Sequence, residues 1–561
     1  MAAGVAEWRG TPHIKGSTET MRMALLTFSL IGLQFTWGIE MTYCTPYLLQ
    51  LGLTKSKTSL VWIAGPLSGL VMQPVVGVIA DRSTSRWGRR RPFMVGGAVV
   101  VAACLLVLGW TKELVGLFVS EPRAKRDITI AVAVLSIYGV DFAINAVQAS
   151  CRSLVVDTLP ISKQQLGSAW GGRMVAIGHL IGYGAGAVDL EALFGPTLGD
   201  TQFKQLTAIS AMALCISVGV TCWATTERIL ISNGKEHHEQ LGAVETLTKI
   251  LKTATNLPPR IDAICWIQFW AWVGWFPFLF YGTTWVGEIY LRYEAPATTV
   301  RAHAVGAPVA GDEDTLGDIG RIGSQALIVF SIITFVASFA MPLLVKSPEH
   351  ERGGGAARGF TPRPPPKLAP LMEAAEKRKP SLLTAWMCSH LLFAGSMVLA
   401  PFTTSVRFAT VIVALCGIPW ACQCWAPFTF MGVEINRLSS SASPTSSSSP
   451  SAHLYRRLSL GTTGGAHAGS VSGVYLGILN LYTTLPQFVG TFISWVVFSV
   501  LEPGPSAELA PDGDGEAGEA PAEEGQLGEG PRRDGPNAIA VCLFIGALAA
   551  VGSAVATRRL R

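Results

Sequence analysis

The chain has 561 residues, 49% of them hydrophobic and only 14% charged, with a mean hydropathy of +0.39. A soluble domain carries roughly a quarter charged residues, so the composition excludes a molecule whose surface mostly meets water. The net charge of +5 is modest, and no nucleic-acid partner is expected from it.

Apolar runs of about 20 residues are long enough to cross a bilayer core of ~30 Å. They fall at roughly 23–49, 59–80, 92–111, 128–151, 166–188, 205–225, 261–282, 322–345, 380–402, 408–433, 471–500 and 536–556. This predicts an all-α protein of twelve transmembrane helices embedded in a lipid bilayer. With both termini on one side, that side carries 29 of the 43 lysines and arginines and the other carries 13. The asymmetry puts both termini in the cytoplasm. The polar segment 226–260 divides the chain into a first half (1–225) and a second half (261–561), each with six spans.

In span one, IGLQFTWGIEMTYCTPYLL holds Gln34 and Glu40, and Pro46 is expected to bend the helix just beyond. Gln34 is a candidate for sugar contact. Glu40 has two readings, a proton-coupling group or a structural partner to an arginine. Span four is the richest in polar groups. Asp141, Asn145, Gln148 and Arg152 are spaced 4, 3 and 4, and at ~100° per residue they form one stripe within about 60°. At ~1.5 Å per residue Asp141 lies about 16 Å from Arg152, near mid-membrane. A charge there costs about 2.5–3.5 kcal/mol, which makes it a functional candidate by default. A buried carboxyl can take up and release a proton near neutral pH. The amides of Asn145 and Gln148 suit sugar hydroxyls.

Span five holds Arg173, which could snorkel or pair with Asp141, and His179, read either as a packing hydrogen bond or as a proton relay. Its Gly178, Gly182 and Gly186 repeat at a spacing of four and suit close helix packing. In span seven, WIQFWAWVGWFPFLFYGTTW, the aromatic density suggests a platform for a sugar ring, with Trp275 the best single choice. His237 and His238 lie in the central loop and read as a solvated face. Inserts at about 346–379, 434–470 and 502–535 are Gly-, Pro-, Ser- or acid-rich and are expected to stay disordered.

The eleven cysteines are scattered through apolar runs, so no disulfide framework is expected. Cys422 and Cys424 form C-x-C with no His or carboxylate close by, and no metal is expected there. The first twenty residues are polar and the first apolar run is too long for a signal h-region, so no cleavable leader is expected.

The loop after span two reads Gly77-Val-Ile-Ala-Asp81-Arg82-Ser-Thr-Ser-Arg86-Trp87-Gly88-Arg89-Arg90-Arg91-Pro92-Phe93. Its Asp-Arg…Gly-Arg-Arg core resembles the signature of the major facilitator superfamily. Arg-Trp-Gly-Arg-Arg-Arg-Pro-Phe is similar to the sucrose–proton symporters, within the glycoside–pentoside–hexuronide:cation symporters. Thr45-Pro46-Tyr47, Gln148 with Cys151-Arg152, Trp275-Phe276-Pro277-Phe278 and Gly477-Ile-Leu-Asn480 with Pro486-Gln487 also match. The resemblance implies the major facilitator fold, a 6+6 pseudo-repeat, and uptake of sucrose or a related α-glucoside with a proton as coupling ion and no other cofactor. It implies that Asp141 carries the proton, that Arg152 serves sugar-dependent transport, and that Arg321 is functionally important. It also implies that Asp81, Arg82, Arg89 and Arg90 form a conformational latch. Two departures, Thr54-Lys55-Ser56-Lys57 where plant members often have a histidine and Tyr281-Gly282-Thr283-Thr284-Trp285 without acidic residues, point to the fungal or animal branch.

The reading is a proton-coupled disaccharide symporter working by alternating access, as a monomer, in the plasma or vacuolar membrane. Gln34, Asn145, Gln148, Trp275 and Arg321 are expected at the substrate. Asp141, Arg152, Glu40, Arg173 and His179 are expected in proton coupling. A monosaccharide or maltose carrier, or a membrane sugar sensor that does not transport, are the alternatives. No nucleophile–base pair and no phosphate loop is present in the sequence, so an enzyme is not expected.

Overall fold

The computed structural model describes residues 7–81, 83–160, 163–232, 248, 255–294, 315–346, 379–441, 467–503 and 537–560. Every predicted apolar run becomes a helix. In chain order these are α1 (Glu19–Gln50), α2 (Lys55–Ala80), α3 (Arg91–Gly109), α4 (Pro122–Thr158), α5 (Gln164–Ala187), α6 (Gln202–Ala224), α7 (Pro259–Glu294), α8 (Gly317–Pro342), α9 (Leu382–Phe402), α10 (Val406–Ile435), α11 (Tyr475–Leu501) and α12 (Ala538–Leu560). Eleven are long and apolar enough to cross a membrane by themselves. The remaining one, α5, has 24 residues and matches the others in length, but Arg173, His179 and its glycines dilute its hydropathy. It packs between α1 and α8, so protein rather than lipid covers much of it.

Local chemistry explains where the helices depart from the apolar runs. α4 starts at Pro122 because the Glu121 carboxylate accepts the backbone N–H groups of Arg123 and Ala124 and Pro122 fills the first turn. α7 continues to Glu294, well past the expected end at 282, because Thr283 to Ile289 are all buried against neighbours. In α1 the expected bend takes the form of a π turn at Glu40–Cys44, directly before Pro46. Proline has no N–H to return to the preceding turn, and the chain relaxes by widening.

The two sets of six helices share one neighbour pattern. Within the first six, α1 packs on α5 and α6, α3 on α4 and α6, and α2 on α4. Within the last six, α7 packs on α11 and α12, α9 on α10 and α12, and α8 on α10. Between the sets, α2 meets α11 and α5 meets α8, contacts that exchange under the same six-helix shift. Two close approaches need glycine. A Cβ on Gly32 would sit 2.8 Å from the Ala213 carbonyl of α6, and one on Gly274 would sit 2.7 Å from the Gly546 carbonyl of α12.

The first and last described residues, Glu7 and Leu560, lie on one face, called here the terminal face. Short strands add to the all-helical plan there: β1 (Glu7–Arg9) pairs with β4 (Ile229–Ser232), and β2 (His13–Ile14) with β3 (Thr225–Thr226), both antiparallel. Lys15 tightens this strap, donating its N–H to the Ala224 carbonyl and setting its ammonium 4.0 Å over Trp223.

Candidate functional site

The stripe predicted on span four is present and graded. Asp141 is wholly buried, Asn145 is 5% exposed, Gln148 is half-buried and Arg152 is exposed. The polar row therefore opens toward the terminal face and closes at Asp141. Asn145 donates to Ser68 Oγ on α2 at 2.9 Å and to the Asp141 carbonyl at 3.0 Å.

Glu40, in the π turn of α1, is the electrostatic neighbour of Asp141. Glu40 is 2% exposed, and none of the four carboxyl oxygens of this pair has a hydrogen-bond partner. Of the two readings held open for Glu40, pairing with an arginine is absent among the described residues. The site is also lined by α2, where a Cβ on Gly65 would lie 3.8 Å from Asp141 Oδ1 and 3.9 Å from Phe280 Cζ.

A layer of α1, α2 and α7 seals this pair from the opposite face. Trp62 Nε1 donates to Thr45 Oγ1 at 3.0 Å, and that hydroxyl donates to the Phe280 carbonyl at 3.2 Å. The Trp62 and Phe280 rings lie 4.8 Å apart. Beyond it, Lys55 of α2 stands 2.5 Å from both Glu288 of α7 and Glu502 at the end of α11. Arg292 approaches Glu502 at 3.3 Å, and Asn537 donates to Glu288 at 2.7 Å. Ser56 and Ser499 meet across the two sets at 2.6 Å. Lys55, Glu288 and Glu502 are all less than 9% exposed, so two cations and two carboxylates balance in a dry setting. Among the described residues, the hydrogen bonds and ion pairs that join the two sets of helices cluster on this opposite face.

Other expected residues fall elsewhere. Arg321 joins the opposite-face contacts, reaching Asp189 at 2.7 Å and pairing with Asp318. This places it apart from the span-four stripe, as a link between α8 and the α5–α6 loop. Asp189 lies in that loop, and its carboxyl is held below the usual range, first by the Ala192 N–H it accepts and then by Arg321. Trp275 lies inside a cluster of rings. It is 1% exposed, with Phe393 at 4.1 Å and Trp420 at 4.9 Å around it, and neither ring face is open to a sugar. The α7 ring that reaches the stripe is Phe280. Gln34 is buried and packs against Gly178 of α5. Arg173 stacks over Trp170 and over Phe339 of α8 rather than pairing with Asp141. His179 lies parallel to Tyr183 at 5.7 Å.

On the terminal face, Arg89 and Arg90 each reach Asp157 at the end of α4 at 2.9 Å. Glu227 accepts the backbone N–H groups of Arg89, Arg90 and Arg91 at the start of α3. These contacts stay within the first six helices and their strap. Asp81 ends the second helix with its side chain outside the described set, and Arg82, His237, His238 and much of the three inserts lie outside the described residues. All eleven cysteines are free, and among the described residues no group of His, Cys, Asp and Glu is arranged to hold a metal ion.

Twelve helices in two matching sets of six, with a polar stripe buried between them and ion pairs joining the sets on one face, define a carrier of the major facilitator type. Residues 27–353 match one of its families throughout, and the chain belongs to the MFS/sugar transport protein family. It is a sugar transporter and not an enzyme. A general alpha-glucoside permease of Schizosaccharomyces pombe is 32% identical over 86% of this chain and 87% of its own length. The sucrose transport protein SUC4 of Arabidopsis thaliana is 26% identical over 82% and 80%. Among solved structures, a bacterial homologue of the human lysosomal transporter Spinster superposes with a TM-score of 0.50 at 14% identity, covering 97% of this chain and 98% of that one. A proton-dependent oligopeptide transporter superposes with the same score at 11% identity, covering 96% and 99%. These two show the shared fold.

Proposed function

We propose that the chain carries sucrose or a related α-glucoside together with a proton, by alternating access, as a monomer in the plasma membrane. The excess of Lys and Arg on the terminal face supports placing that face in the cytoplasm. The structure is then the state that opens inward. The similarity to an alpha-glucoside permease and to a sucrose transport protein supports the choice of sugar.

The observation that carries proton coupling is the carboxyl pair. Asp141 and Glu40 are electrostatic neighbours, both buried, with no cation and no hydrogen-bond donor on any of their four oxygens. An isolated carboxylate in such a place costs several kcal/mol, about what an incomplete buried ion pair costs. Two adjacent ones cost more, so the pair is stable only while it holds a proton. The cycle follows from this. With the carrier open outward, Asp141 takes a proton while sugar binds Asn145 and Gln148 of α4 and Gln34 of α1. Neutralising the acid lets the Trp62–Phe280 layer close over it, and the Lys55 network then joins the two halves. Proton and sugar leave down the stripe past Arg152, whose positive charge lies at the exit.

The test is sugar accumulation driven by a pH gradient in cells expressing the full chain. One proton per sugar supports about tenfold accumulation per pH unit. Asp141→Asn should abolish accumulation above the external concentration while leaving sugar exchange measurable. Full gradient-driven accumulation by that variant would sink the proton role of Asp141.

A further inference from the structure

We infer that Ser68 of α2, together with the Asp141 carbonyl, fixes the orientation of the Asn145 amide, so that the sugar site presents a hydrogen-bond acceptor there and selects a hydroxyl that donates. The assignment rests on the proposed sugar-carrying role of the stripe.

The argument is one of donor accounting. The Ser68 hydroxyl has one hydrogen, and it is spent on the Gly65 carbonyl at 2.8 Å. Ser68 Oγ can therefore only accept. Asn145 Nδ2 has two hydrogens. One goes to Ser68 Oγ at 2.9 Å and the other to the Asp141 carbonyl at 3.0 Å. Both partners are acceptors, so the amino side of the amide must face them and the amide cannot be turned over. That leaves Oδ1 as the free end. It lies 3.7 Å from the position a Cβ would take on Gly69, and among the described residues nothing donates to it. Ser68 is fully buried, so water does not compete for its hydroxyl. Ser68 is a positioning residue, acting on the substrate only through Asn145.

A site built to receive a hydroxyl's hydrogen discriminates sharply against a ligand that lacks it. Fluorine in place of a hydroxyl accepts weakly and cannot donate. Wild-type uptake of labelled sucrose should be challenged with a series of monodeoxy and monodeoxyfluoro α-glucosides. At one hydroxyl position both analogues should compete about tenfold more weakly than the parent, the effect of one lost hydrogen bond in a buried site. Ser68→Ala removes one of the two acceptors that hold Nδ2 and leaves the Asp141 carbonyl alone against it, so the amide can turn Nδ2 toward the ligand at lower cost. The fluoro analogue should then recover to within about threefold of the parent while the deoxy analogue stays weak. Ser68→Thr keeps a hydroxyl that bonds the preceding turn and should behave as wild type. Gly69→Ala brings a methyl against Oδ1 at an ordinary contact distance and should weaken the parent to the level of its deoxy analogue. The pH dependence of uptake should be the same in Ser68→Ala as in wild type.

An unchanged analogue ranking in Ser68→Ala overturns the assignment, as does a wild type in which every fluoro analogue competes as well as the parent. Failure of the wild type to take up sucrose or maltose sinks the sugar reading, and this assignment with it. Normal uptake with unchanged rankings sinks this assignment alone.

Discussion

Glu40 and Lys55 are both ionisable, buried and inside the bundle, yet their surroundings assign them opposite energetics. Lys55 has two carboxylates at 2.5 Å. Glu40 has no cation and no donor. Removing one partner of a buried ion pair costs about 3–5 kcal/mol, because the other charge is left uncompensated. Removing Glu40 leaves no partner uncompensated and so costs little. Glu40→Gln should therefore change the stability of the purified carrier by less than about 1 kcal/mol, while Lys55→Met costs several times more. Thermal unfolding in detergent reads both, and a large loss in Glu40→Gln would mean that the side chain is ion-paired after all. Asp141 and Glu40 were legible in the sequence because a charge inside an apolar run is conspicuous. Glu288 obeys the same rule in TTWVGEIY, but the hydropathy falls at Gly282-Thr283-Thr284, and the predicted span ended before reaching it. Lys55 was read as a loop residue. Its carboxylate partners lie 233 and 447 positions away, a distance no local pattern bridges.

At the scale of elements, apolar runs located all twelve helices but not which way each turns its faces. The aromatic richness of α7 could not distinguish Trp275, which faces α9 and α10, from Phe280, which faces α2. Glycine positions carry more of that information than the rings do. Gly274 opposes Gly546 where α7 and α12 touch, while a Cβ on Gly395 of α9 would meet nothing within 4 Å. Gly274→Ala should push two backbones apart and lower stability by about 1–3 kcal/mol. Gly395→Ala should be neutral or slightly stabilising, since alanine favours the helix. Equal melting temperatures for the two variants would show that α7 and α12 do not meet as described. The π turn at Glu40–Cys44 had its cause in plain view, since Pro46 follows it. What proline could not reveal is that the distortion sets a carboxyl beside Asp141.

For the molecule as a whole, the hydrogen bonds and ion pairs that join the two sets of helices among the described residues cluster on one face, and alternating access requires them to part. Ser56 and Ser499 report that parting directly, because their hydroxyls meet at 2.6 Å across the two sets. A Ser56→Cys, Ser499→Cys double variant should form a disulfide under mild oxidation that stops sugar uptake and is reversed by reductant. Oxidised protein that transports at the wild-type rate would show that the halves do not separate there. The sequence supported two sets of six spans through loop charge and the central polar segment. Their equivalence emerges only from the matching neighbours, α1 on α5 and α6 against α7 on α11 and α12.

The Lys55 network has a further consequence for the electrical behaviour of the carrier. Lys55, Arg292, Glu288 and Glu502 sum to zero, so the closed cluster places no net charge in the voltage drop of the membrane. A full elementary charge crossing that drop is worth about 2.3 kcal/mol per 100 mV. In the proposed cycle that work falls on the proton carried at Asp141. The gate charges return to their places in every turnover, so on the proposed mechanism the steady current during uptake counts protons.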